Sequence, residues 1–270
     1  MYSINLTIHN KDFLIYEVLE RIKKYTVGNY EMVVVLDGCT DKSENIVCKW
    51  FESNAFIEHK ILKADNIFET KSNNIAAKNS TGDYIIIVQD DMLINEMEWN
   101  KRIAHPFNLF DDIFAVTARY AHNWVINPNS EHIKMEQNLN TCYSDILIHT
   151  DHAHRGNIDR DTFAIRNSVN RGPLVVKHDV FNSLNYFDEI YAPLDMDDHD
   201  LCMRAKLKYG LLCGCYWIDY ISDDDWGGTR LNGSPRDWVL EANHKNQKIY
   251  YNRYKDYINN ATIINRKCTQ

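Results

Sequence analysis

Glycine and proline are scarce, with 10 and 5 copies in 270 residues. That excludes a collagen-like repeat, and no Gly/Ser/Pro-rich linker divides the chain. No run approaches the ~18 apolar residues that read as a membrane span. Residues 1–6 lack a basic flank followed by an apolar core, so no secretion signal is expected there. A basic excess is also missing. Lys and Arg number 30 against 38 Asp and Glu, a net charge of -8, so nucleic acid is not expected as a main partner. The seven cysteines (Cys39, Cys48, Cys142, Cys202, Cys213, Cys215 and Cys268) are odd in number and match no zinc spacing. They read as reduced thiols in a reducing, cytoplasmic compartment. What remains is an ordinary globular balance of 44% apolar and 25% charged residues.

The first half alternates strand and helix signals. Residues 3–8, 32–36, 56–62 and 84–88 read as strands. Residues 13–25, about 41–51 and 71–79 read as helices. Phe13, Leu14, Val18, Leu19 and Ile22 carry the first helical stripe, and Ile85-Ile86-Ile87-Val88 is apolar on both faces, as in a central strand. Such β-α-β alternation implies a mostly parallel sheet covered by helices, with ligands bound outside the carboxyl ends of its strands. In the second half, residues 112–118 and 173–176 are strand candidates. Residues 120–170 are polar without a periodic run and read as a long loop, either functional or mobile. Residues 197–208 read as a helix with Leu201, Ala205 and Leu207 inward, residues 211–221 as a strand-like run, and residues 236–257 as a tyrosine-rich C-terminal helix.

Two strands end in acid, Leu36-Asp37 and Val88-Gln89-Asp90-Asp91. Paired carboxylates at a sheet mouth suit a hard divalent cation that is shared with substrate phosphates. A solvated turn has the same appearance, so the pair alone decides little.

Four segments in order resemble glycosyltransferase family 2, the inverting enzymes of the GT-A fold. Ser3-Ile4-Asn5-Leu6-Thr7-Ile8-His9-Asn10 resembles the opening strand of the nucleotide pocket. Val33-Val34-Val35-Leu36-Asp37-Gly38-Cys39-Thr40-Asp41 resembles VVDDGSTD. Lys71-Ser72-Asn73-Asn74-Ile75-Ala76-Ala77, continuing through Gly82-Asp83-Tyr84 to Gln89-Asp90-Asp91, resembles ARNxG…GEYIxFLDxDD. Phe187-Asp188-Glu189 followed by Asp197-Asp198-His199-Asp200-Leu201-Cys202-Met203-Arg204 resembles FDE…EDxDLxxR.

The resemblance implies an α/β fold, a Rossmann-like three-layer GT-A sandwich around a mostly parallel sheet. It divides the chain into residues 1–235 (a nucleotide-binding half, 1–118, and an acceptor-binding half, 119–235) and a helical extension, 236–270. It implies transfer of a sugar from a nucleotide-diphosphate donor, with UDP expected and GDP or dTDP open, to a glycan, lipid-linked or protein acceptor. The cofactor is a divalent metal, Mn2+ or Mg2+. Residue by residue, Ile8, Asn10 and Asp37 fall at the nucleotide and Lys71 and Arg171 near its phosphates. Asp90 falls at the ribose or donor sugar and Asp91 at the metal. Asp198 falls on the general base with Asp197 as its acidic neighbour, and Arg204 on a structural arginine. Asp198 near a helix start should be ionised at neutral pH. Leu36, Ser72 and Gln89 depart from the pattern, and the region Ser222-Asp223-Asp224-Asp225-Trp226 lacks the family's late histidine.

Other residues stay open. His149, His152 and His154 with Asp151 suggest zinc less than surface or acceptor contacts. His199 faces either solvent or the acceptor. Trp226 and Arg230 suit a sugar ring and a diphosphate, or else local packing. Tyr250, Tyr251, Tyr254 and Tyr257 read as core packing or a partner surface, with peripheral membrane contact open. Two rivals stand beside the transferase: a catalytically degenerate nucleotide-sugar or glycan-binding protein on the same scaffold, and a metal-dependent phosphohydrolase or nucleotidyltransferase.

Overall fold

The structure is a computed structural model that describes residues 1–130, 146–227, 236–260 and 266–269. Its first half is β1 (Tyr2–Ile8), α1 (Ile15–Tyr25), β2 (Tyr30–Asp37), α2 (Ser43–Ser53), β3 (Glu58–Ala64), α3 (Phe68–Lys78), β4 (Tyr84–Gln89) and β5 (Leu93–Ile94). Helix α1 buries Ile15, Val18, Leu19 and Ile22, one turn apart along a single face, with Glu17 in its first turn and Lys23 and Lys24 in its last. It starts two residues later than the stripe suggests. The Lys11 carbonyl accepts from the amides of Leu14 and Ile15, and Phe13 stays 65% exposed.

Because side chains alternate along a strand, the central strands sort their residues to two faces. Ile4, Leu6, Ile8, Met32, Val34, Leu36, Ile86 and Val88 pack on α1 and α2. Val33 and Val35 meet Ala76 of α3 on the other face. Leu36, where the family often has an acid, therefore belongs to the core.

The second half continues with α4 (Trp99–Ala104), α5 (Pro106–Leu109), β6 (Ile113–Thr117), β7 (Ala121–Ile126), β8 (Leu147–Ala153), β9 (Thr162–Arg166), β10 (Ser168–Val169), β11 (Leu174–Lys177) and α6 (His178–Ser183). It ends with α7 (Asp197–Tyr209), β12 (Leu212–Cys215), β13 (Tyr220–Ile221), α8 (Arg236–Asn260) and β14 (Arg266–Thr269). Among the described residues the main sheet has nine strands, in the order β14-β9-β12-β6-β11-β4-β1-β2-β3. Seven run one way and two, β11 and β9, run against them, so the sheet is mostly parallel as expected. A smaller sheet, β10-β7-β8, packs beside its β9, β12 and β6 strands.

Residues 120–170 are therefore not one long loop. They hold four strands, and part of the span, residues 131–145, lies outside the described residues. The strands are hard to read because β8, Leu-Ile-His-Thr-Asp-His-Ala, buries only its ends. Its middle, Ile148 to His152, is largely exposed, with His149 and His152 on a cleft, so no apolar alternation marks it. A second correction concerns α7. Leu201 and Ala205 are buried, but Leu207 is 53% exposed, and the buried first turn is Asp197-Asp198-His199-Asp200. The run at residues 211–221 resolves into two strands, β12 and β13, and the helix expected at 236–257 runs to Asn260. Tyr250 and Tyr254 of α8 pack with Trp124, Tyr191, Met196 and Met203, which is the core reading of those tyrosines.

Candidate active site

The carboxyl ends of β1, β2 and β4 meet at a small pocket lined by Ile8, His9, Lys11, Asp37, Glu69 and Asp90, among others. Ile8 is buried, and its carbonyl accepts from the Cys39 thiol at 3.3 Å. Nδ1 of His9 lies 2.6 Å from the Asp37 carbonyl, and the His9 amide donates to Asp90 Oδ2 at 3.0 Å. Asn10, at φ +48°, accepts from the Thr40 amide at 2.7 Å and so shapes the loop after β2. Asp37 accepts from the amides of Ile67 and Phe68 at 2.7 and 2.8 Å. Its carboxylate thus sits where α3 begins and the helix dipole favours an anion.

The cation beside the acids is Lys11, a residue that sequence reading passed over. Its Nζ donates to the Trp226 carbonyl at 2.7 Å and lies 3.5 Å from Asp90 Oδ1. Lys71 is exposed on α3 and lines neither pocket. The only local signal for Lys11 is its place three residues beyond a strand end, where ligands gather.

Burial pushes Asp90 up to about 7 against the pull of Lys11, and Asp91 and Glu69 add to the rise. Burial also raises Asp91, again opposed by Lys11 and reinforced by Glu69. Oδ1 of Asp91 is buried with no hydrogen-bond partner among the described residues. A hard oxygen pair with one orphaned buried atom fits a divalent cation. The segment after β13 closes on this spot, since a Cβ at Gly227 would lie 2.7 Å from Asp91 Oδ2. Trp226 packs partly buried on the main core, which favours local packing over an open stacking face. Arg230 lies outside the described residues.

A larger cleft of about 430 Å³ adjoins the small pocket and shares Glu69 and Gln89 with it. Gln89 stands where the family's first acid is common. Its amide donates to Glu69 at 2.9 Å and accepts from Arg119 at 2.9 Å, which ties the wall together. Gly172, at φ +92°, lets the backbone come against it. A Cβ there would meet Gln89 Oε1 at 2.1 Å.

Asp198 lines this cleft and is buried to 4% exposure. Its Oδ2 accepts from the Arg171 amide at 2.9 Å. Its Oδ1 accepts from the His199 amide at 2.8 Å and lies 2.5 Å from His199 Nδ1. Burial works against its ionisation, but His199 and Arg171 outweigh it and hold the carboxyl well below the usual range. His199 is correspondingly lifted by Asp198, against its own burial. It is buried and faces neither solvent nor an open acceptor surface. The Arg171 guanidinium is committed to Asp197, with NH1 at 2.8 Å from Oδ2 and NH2 on Oδ1. Asp197 and Glu69 keep that arginine cationic despite burial. Arg171 thus braces the acidic turn from the cleft wall, while Arg119 is the exposed arginine of the cleft. Arg204 is structural as expected, donating to the carbonyls of Leu184 and Tyr186 at 2.5 and 2.8 Å.

The histidines regroup. His122, a residue not singled out in sequence, joins His149 and His152 in the cleft, whereas His154 turns to Tyr120 and the Gly156 amide.

Strand-end acids, an adjoining cleft and a buried carboxylate at a helix start describe an α/β protein with a carboxylate-lined site at the mouth of its sheet. The chain belongs to glycosyl transferase family 2, whose profile its residues 3–172 match. No curated protein matches it in sequence. Among solved structures it is similar to S. aureus TarS 1–349, at 18% identity and TM-score 0.52, covering 82% of this chain and 58% of that one. It is also similar to the mannosyltransferase PcManGT from Pyrobaculum calidifontis in complex with GDP-Man and Mn2+, at 15% identity and TM-score 0.60, covering 97% and 65%. GalNAc-T7 with UDP, GalNAc and Mn2+ follows at 11% identity and TM-score 0.65, covering 96% and 49%. The chain thus spans about half to two thirds of these neighbours. At such identities the likeness establishes the fold. No helix among the described residues is long and apolar enough to cross a membrane.

Proposed function

We propose that this chain is an inverting glycosyltransferase that moves a sugar from a nucleotide-diphosphate donor, a UDP-sugar first among them, to an acceptor hydroxyl. The observation that carries the reading is Asp198, a buried carboxylate held ionised on the wall of the larger cleft. In this reading the nucleotide binds at the strand ends by Ile8, Asp37 and Asp90 and extends into the adjoining cleft of about 430 Å³. The Lys11 amine, 3.5 Å from Asp90, lies where it can offset phosphate charge. Arg119 offers a second cation across Gln89.

Asp198 takes the acceptor's hydroxyl proton as that oxygen attacks the anomeric carbon from the face opposite the leaving nucleotide, which inverts the centre. His199 and the Arg171 amide keep the carboxylate aimed and charged. Asp91, with Asp90 beside it, is the residue to hold a divalent cation. When bound, Mn2+ or Mg2+ supplies Lewis-acid stabilisation of charge on the departing diphosphate. Complexes of the structural neighbours with UDP, UDP-GlcNAc, GDP-Man and Mn2+ support a nucleotide-sugar donor and a metal. The glycan, lipid-linked or protein class of the acceptor stays a matter for screening.

The test is nucleotide release from a panel of sugar donors, with and without acceptor glycans, for the wild type and Asp198→Asn. Acceptor-dependent release that falls by roughly 10²- to 10⁴-fold in the variant is the expected result for loss of a general base. Release that is indifferent to acceptor points instead to a phosphohydrolase. Donor binding without release points to a degenerate binding protein, the reading that the substitutions at Leu36, Ser72 and Gln89 favour.

A further inference from the structure

We propose that His122, His149 and His152 form a site for a divalent transition ion of zinc's kind, built from nitrogen donors and distinct from the carboxylate pair.

The strand register assembles it. His149 and His152 are three residues apart, so in an unbroken strand they would point to opposite faces. The β7–β8 ladder pairs Trp124 with His149 and Asn123 with Thr150, then shifts and resumes at Ala121 with Ala153. Asp151 and His152 together therefore oppose the single residue His122. Asp151 takes up the extra length at φ +52°. This is a β-bulge, and its effect is to re-aim a side chain. It turns His152 back to the face of His149, which is also the face of His122, two residues from Trp124. One ligand nitrogen from each ring then lies within 4.8 Å of the others.

The chemistry of the three rings fits a ligand. His122 is 1% exposed, and its Nδ1 has no hydrogen-bond partner among the described residues. A buried polar atom left so is costly unless something binds it. Its Nε2 is already taken, 3.0 Å from Nε2 of His199, which is itself held by Asp198. In the tautomer with His122 Nε2–H donating to His199 Nε2 and His199 Nδ1–H to Asp198, His122 Nδ1 keeps the lone pair a metal needs, and the relay ends on a carboxylate, the support that metal-bound imidazoles have. His149 and His152 are exposed on the cleft side, which leaves a path for the ion.

Three imidazoles select zinc, cobalt or nickel over the manganese and magnesium that suit carboxylates. Three protein ligands leave a fourth position open, here toward the cleft that Asp198 lines. The site does not depend on the donor reading, because ion binding is measured without turnover.

The experiment titrates the full chain with Co2+ in excess Mg2+ and follows the visible absorption of tetrahedral cobalt, then adds Zn2+. The expected result is one cobalt per chain, displaced by zinc and not by magnesium. Affinity should weaken by at least about tenfold in His149→Ala and in His152→Ala, since even an outer partner of a metal site is worth that much. Asp91→Asn should keep the band. Both histidines are exposed, and circular dichroism checks that the variants fold. No band in the wild type, a band that survives the double variant, a thiolate charge-transfer band, or loss of the band in Asp91→Asn would each overturn the proposal.

Discussion

Asp198 gives one carboxylate oxygen to the backbone of Arg171 and the other to the amide and ring of His199. The pair titrates in opposite directions. The depressed carboxyl contributes stability above its unfolded value of ~3.9, and that contribution is lost as pH falls through its lower folded value. The raised imidazole contributes below ~6.5, and its share is lost as pH rises through its folded value. Urea denaturation at about pH 6 and about pH 9 should therefore show the wild type losing more stability on the alkaline side than His199→Gln, whose side chain does not titrate. The same variant should move the acid limb of kcat/KM to higher pH, because the carboxyl loses the partner that holds it down. An unmoved limb would show that His199 does not set the charge of Asp198. That pairing is invisible in sequence. The string Asp197-Asp198-His199-Asp200 looks like a solvated charge run until one sees that the helix buries its first turn.

Elements meet at two places where one residue governs the join. The turn between β10 and β11 needs Gly172 at φ +92° against the Gln89 amide. Gly172→Ala should destabilise by ~1–3 kcal/mol, read as a lowered denaturation midpoint, through backbone strain alone, and should also loosen the wall shared by Gln89 and Arg119. Between α7 and α8, buried Asp200 accepts from Arg204 at 2.6 Å, Arg253 at 2.7 Å and the Tyr254 hydroxyl at 2.6 Å. Asp200→Ala strands these partners. Breaking a buried ion pair costs ~3–5 kcal/mol, and the loss here should fall toward or below the low end because both arginines reach water. A proteolysis assay should then show α8 released more readily than the sheet. The elements that resisted reading were β7 and β8. β7 buries His122 and Asn123 beside Trp124, and β8 buries only its ends, so neither shows an apolar alternation.

At the scale of the whole molecule, a ligand that binds only the folded chain raises its melting temperature. A nucleoside diphosphate with Mn2+ at 100 times its Kd should add ~2.7 kcal/mol, a shift of roughly 5–11 °C for a chain of this size. A panel of UDP, GDP, dTDP and CDP should single out one base, and Asp91→Asn should remove the manganese-dependent part. No shift with any nucleotide would move the reading to a degenerate scaffold. Much of this architecture was legible beforehand. The apolar runs of β1, β2 and β4 and the stripe of α1 determine a helix-covered, mostly parallel sheet, because periodicity is local and each residue carries its own share. The placement of Asp37, Asp90 and Asp91 at strand ends was legible as well, because a strand end is a position along the chain, whereas Asp198 was singled out through the family resemblance. Only the tertiary structure decided their company: Lys11 beside Asp90, Arg171 on Asp197, His199 on Asp198, and His122 with His149 and His152. All but the adjacent pair His199–Asp198 join residues far apart in sequence. They depend on register, on a single bulge at Asp151 and on which helix face is buried, none of which a local pattern encodes.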